Sequence, residues 1–107
     1  MFTNEFVMFE QGDIITLKLS SGEEIIASFI GQDCNFFQIL KPFTIGMTAQ
    51  GIGMTQSMIS MNIDAEEVIL LPKRLVIMYA RTRSDLAQHY TANTSRIQVV
   101  PKSVLLG

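Results

Sequence analysis

Lys73, Arg74, Arg81 and Arg83 make up half of the eight Lys and Arg residues of this chain, and no acid interrupts them. Sharing one face, they would form a local basic patch able to neutralise phosphates. The plainer reading is a solvated edge whose charges keep strands from aggregating. A second polar group, Gly31-Gln32-Asp33-Cys34-Asn35, has the composition of a turn whose side chains bond their own backbone. Catalytic chemistry finds little footing. A closed zinc site needs several ligands at restricted spacings, and this chain has one His, one Cys and scattered acids. His89 lacks a partner serine or cysteine in any nucleophile-elbow pattern. Gly51-Ile52-Gly53 lacks the strand-turn-helix setting of a phosphate loop. The expectation is a protein that is not an enzyme and uses no metal or cofactor.

The elements that must position these residues come from a chain of 107 residues, enough for one domain over residues 1–107. A chain this short buries only about 60–70% of the surface its unfolded form exposes. Yet 48% of its residues are hydrophobic, 17% are charged, and the mean hydropathy is +0.30. That surplus of apolar material points to a subunit interface. A lone cysteine excludes an intramolecular disulfide framework. The first thirteen residues carry Glu5, Glu10 and Asp13 and no base, which is wrong for a signal peptide. No apolar run approaches the roughly 18 residues of a membrane span. A cytoplasmic protein without membrane contact is expected. The net charge of −2 gives no global attraction to nucleic acid.

Period-two alternation over Ile14 to Ser20 predicts a half-buried strand with Ile15, Leu17 and Leu19 on one face. Ser20-Ser21-Gly22-Glu23 supplies a turn, and Glu24 to Ile30 a second strand, with Ile25, Ala27 and Phe29 on one side. Its other side, Ile26, Ser28 and Ile30, is apolar enough to require a covering element. Phe36 to Lys41 predicts a third strand closed by Pro42, with Phe43 to Met47 as an extension beyond a bulge. Thr48 to Gly53 reads as a flexible loop and Met54 to Ile63 as a fourth strand. Four of the seven methionines (Met47, Met54, Met58, Met61) fall here, as adaptable filler or as a repacking surface. Val68 to Leu71 and Leu75 to Ala80 are short strands flanking Pro72-Lys73-Arg74. Arg83 to Asn93 is the one helix, with Thr82 and Asp85 as a capping box and Leu86 and Tyr90 as its apolar stripe. Residues 96–106 fit a final strand or a tail equally.

The first meander resembles the first signature segment of the Sm and LSm family of small RNA-binding ring proteins. From Gly22, the family pattern finds Ile25 three residues on, Ala27 at five, Phe29 at seven and Asp33 at eleven. Ala27 stands where glycine is usual, and Phe37 holds the family's asparagine position, with Asn35 nearby. The second signature, a strand, a turn with Arg-Gly and another strand, is similar to Val68 through Ile77, with Lys73-Arg74 in the turn and no glycine. The helix follows the strands, whereas the family's usual helix precedes them. In layout the chain is similar to Sm-like proteins of marine tailed phages.

The resemblance implies a mostly β fold, a small and strongly bent five-stranded barrel over about residues 13–80, with a C-terminal helix and tail over about 82–107. It implies a homo-oligomeric ring, of five to seven subunits, closed by edge-strand pairing. It also implies binding of single-stranded RNA, or single-stranded DNA, in a role in RNA processing or regulation. Asp33 and Asn35 would shape a pocket or read base edges, Lys73 and Arg74 would neutralise phosphates, and Phe37 would stack on a base or fill the core. A homo-oligomeric scaffold, or a phage-associated interaction protein without nucleic-acid binding, is the alternative.

Overall fold

The computed structural model describes residues 8–62, 64 and 66–94. Its strands are β1 (Ile14–Leu19), β2 (Glu24–Gln32), β3 (Phe36–Thr48), β4 (Gly51–Gln56), β5 (Ile69–Pro72) and β6 (Val76–Arg81). A single 3-10 turn, Lys73–Leu75, joins β5 to β6, and a helix, α1, spans residues 84–94. All pairings are antiparallel, in the order β4-β3-β2-β1-β6, with β5 also on β3. The chain is therefore mostly β, a bent sheet with one C-terminal helix, as the alternation predicts.

Alternation decides which face is buried. Ile15 and Leu17 of β1, Ala27 and Phe29 of β2, and Phe37 and Ile39 of β3 turn to one side and form the core with Phe9. The β1–β2 turn closes as expected: Gly22 takes φ 102°, which a side chain would oppose, and its N–H donates to Leu19 O at 2.9 Å.

Two bulges bend the sheet. Ile26 pairs with Phe43 and Ser28 with Leu40, so Ala27 alone faces both Lys41 and Pro42. Phe29 pairs with Ile39 and Gly31 with Gln38, leaving Ile30 as the extra residue of β2. Each inserted residue bends and twists its strand. Pro42 is tolerated within β3 because a bulge position needs no ladder N–H. Thus β3 does not close at Pro42: it runs for 13 residues, and the predicted extension is part of it. Its first part pairs with β5 and its last part with β4.

Three further expectations are corrected. Residues 48–53 are no flexible loop but a hairpin, in which Ala49 and Gln50 form the turn and Gly51 opens β4. The fourth strand accordingly begins at Gly51 rather than Met54 and stops at Gln56; the last residue of the predicted span, Ile63, lies outside the described residues. The Thr82–Asp85 capping box does not form. The Thr82 hydroxyl instead shares a hydrogen bond with the Thr16 hydroxyl at 2.7 Å, and Asp85 Oδ1 accepts from the Leu86 N–H. The strand or tail at residues 96–106 lies outside the described residues.

The covering element for the second side of β2 is α1. Tyr90 is 2% exposed and meets Phe43 edge-to-face with ring centroids 5.9 Å apart. Its hydroxyl donates to Lys41 O, the carbonyl of a bulge residue, at 2.8 Å and lies 3.3 Å from Leu40 O. Burial pushes the Tyr90 hydroxyl pKa well above the usual phenol value.

Candidate nucleic-acid interface

Asp33 organises the β2–β3 turn. Its Oδ1 accepts the N–H groups of Asn35 and Phe36, each at 2.8 Å, an arrangement that short acidic side chains favour in turns. These two bonds hold its carboxyl below the ordinary aspartate pKa; slight desolvation opposes them and the Lys73 charge assists. One carboxylate oxygen is thus committed to backbone.

The 3-10 turn between β5 and β6 lies against this one. Pro72 ends β5, and the Lys73 N–H donates to Asn35 O at 2.8 Å. On the other side, the Ser20 N–H donates to Leu75 O at 2.8 Å, so the turn is stitched to both neighbouring hairpins. The two turns border an open pocket of about 470 Å³ lined by Cys34, Asn35, Phe36, Pro72, Lys73 and Arg74. Of the five residues singled out from sequence, Asn35, Lys73 and Arg74 line it, and Asp33 shapes its wall.

Phe37 does not present itself to a ligand. It is 1% exposed and belongs to the core, so its ring is unavailable for stacking. Tyr79 meets it edge-to-face with centroids 5.2 Å apart, and Lys73 Nζ sits 5.0 Å from its centroid. Phe37 therefore holds the Lys73 ammonium in place by a cation–π contact. The aromatic residue that lines the pocket is Phe36, half-buried, which sequence reasoning passed over. Adjacent strand residues face opposite sides of the sheet, so an offset count that reached Phe37 missed its neighbour by one position. With Phe37 in the core, Phe36 had to face outward, and that alternation was the available signal.

The basic run also divides. Arg81 pairs with Asp13 at 3.3 Å and donates to Met8 O, and Arg83 pairs with Asp85 at 2.8 Å. Lys73 and Arg74 have no carboxylate within ion-pair distance among the described residues. The Asn35 side-chain amide, likewise, forms no hydrogen bond among them. One end of β6 is electrostatically satisfied, and the other offers two cations and an amide around a pocket. Such a set can neutralise phosphates and pair with polar base edges.

No group of three or more potential metal ligands occurs among the described residues. Cys34 and His89 are both exposed, and His89 Nε2 lies 3.3 Å from Asn93 Nδ2 on α1. No described helix is long and apolar enough to cross a membrane. No family model matches the chain, and no curated protein matches it.

Proposed function

We propose that this chain is a ring-forming, Sm-like protein that binds single-stranded nucleic acid, RNA by preference, at the pocket between the Asp33 and Lys73 turns. The observation that carries this reading is the juxtaposition of those two turns, 38 residues apart at Asn35 and Lys73, joined by the bond from Lys73 N–H to Asn35 O. Lys73 and Arg74 supply the phosphate contacts, Asn35 an amide for base edges, and Phe36 a ring against which a base can lie.

Assembly is supported by the sheet edges. β5 pairs only with β3 and β6 only with β1 among the described residues, so one chain carries two open edges beside the same turn. Both edges are apolar: Leu70 is 55% exposed, and Ile77, Met78 and Tyr79 are exposed on β6. Pairing β5 of one copy with β6 of the next would cover them and remove both edges. Five to seven copies would place one pocket per subunit around a common rim, and multivalency would turn a two-cation site into useful avidity. A role in RNA processing or regulation follows from that reading.

Filter binding with oligo(U), oligo(A) and single-stranded DNA at two salt concentrations tests it. Affinity should fall steeply with salt, by roughly 0.7 in logarithmic slope for each phosphate neutralised on a single strand. Lys73→Ala with Arg74→Ala should reduce both the affinity and that slope. Binding that ignores salt and both substitutions would favour the homo-oligomeric scaffold instead.

A further inference from the structure

The far end of β3 carries a contact of another kind. β4 follows β3 through six consecutive pairs, from Phe43 with Gln56 to Thr48 with Gly51, and no bulge interrupts them. Among the described residues its outer edge meets no strand. Natural edge strands are guarded by lysines, prolines, bulges or inward charges, because an unguarded row of N–H and C=O groups is a template for another strand. Gly51–Gln56 has none of these guards, and no charged residue occurs anywhere from Pro42 to Ile63.

We infer that the outer edge of β4 pairs with the same edge of a second copy, antiparallel about a twofold axis. Charge selects this partner. A nucleic acid or a charged peptide finds no counter-charge on this edge, whereas two copies of it, set antiparallel about the axis, face each other without like-charge repulsion because neither carries a charge. The flanks are apolar and adaptable: Met47 is 78% exposed and Ile59 89% exposed, with Ile52 and Met58 also exposed. This contact is separate from the β5 and β6 edges and from the nucleic-acid pocket. In an assembly closed through β5 and β6 it joins two rings; without such closure it yields a dimer.

Two doubly charged variants test the proposal in the full chain, Ile52→Lys with Thr55→Lys and Ile52→Glu with Thr55→Glu. Each should halve the mass measured by light scattering at low salt, and an equal mixture of the two should restore it. Because Cys34 is the only cysteine, Met54→Cys in a Cys34→Ser background gives an independent readout. Mild oxidation should convert most of that protein into covalent dimers, since residues close to the axis come within disulfide reach. Masses that stay unchanged in both charged variants would overturn the inference. So would a halved mass that mixing fails to restore, or a Met54→Cys protein that stays uncrosslinked. Loss of nucleic-acid binding on Lys73 and Arg74 substitution reports on the pocket alone, so the two readings fail separately.

Discussion

At its first residues β3 packs beside a turn whose two cations have no carboxylate partner among the described residues; at its last it folds into a hairpin with no charge at all. The same strand thus serves two chemistries. The bulge at Lys41 and Pro42, opposite Ala27, changes its direction between them. Before the bulge, Phe37 and Ile39 face the core while Phe36 lines the pocket, and the neighbouring turn is tied down by backbone bonds. After it, β3 pairs with β4 on one side and with β2 on the other, and apolar side chains remain exposed. The difference teaches that charge placement, more than fold, separates a surface suited to phosphates from one suited to another copy of the chain.

The comparison breaks most severely if the bend between the two ends is lost. Ala27 is fully buried where one residue faces two, so Ala27→Leu should overpack the site and cost about 1–3 kcal/mol in urea unfolding. Tyr90→Phe removes the hydroxyl bonded at the bulge and should cost about 1–2 kcal/mol by the same measurement, with nucleic-acid affinity unchanged. At the cationic end, Phe36→Ala should weaken oligonucleotide binding about fivefold, the low end of base–aromatic stacking, and leave the assembly mass intact. Unchanged affinity would remove Phe36 from the site.

The smallest effect concerns Asp33. A carboxyl held below its usual pKa stabilises the folded turn above the unfolded value, near pH 4, and loses that contribution as pH falls through the folded value. Asp33→Ala should therefore lower the melting temperature slightly at neutral pH. The gap from the parent protein should close on acidification below about pH 4. A gap independent of pH would assign the effect to something other than the carboxylate.

Much of the cationic end was legible in the residues. Period-two alternation marked β1 and β2, Gly22 marked their turn, and Pro72-Lys73-Arg74 marked the turn after β5, because local conformational preference and burial agree there. The hairpin was less legible. Gly51 and Gly53 lower strand propensity, and only pairing with β3 makes Gly51–Gln56 a strand. Pro42 reads as a stop until a bulge gives it a place that needs no N–H. The capping box failed for a similar reason: Thr16, far away in the chain, claims the Thr82 hydroxyl.

By itself the sequence determined most of the extended segments apart from the Gly51 end of the hairpin, where the helix lies, and that basic residues concentrate late in a chain with most of its acids early. These follow from side-chain period, turn chemistry and composition, all of which act over a few residues. Tertiary structure decided that the Asp33 and Lys73 turns meet, that among the described residues Arg81 and Arg83 have carboxylate partners while Lys73 and Arg74 do not, and that Phe37 lies inside while Phe36 lines the pocket. Those outcomes depend on strand register and on distant partners, and a shift of one residue in pairing exchanges the two faces of a strand.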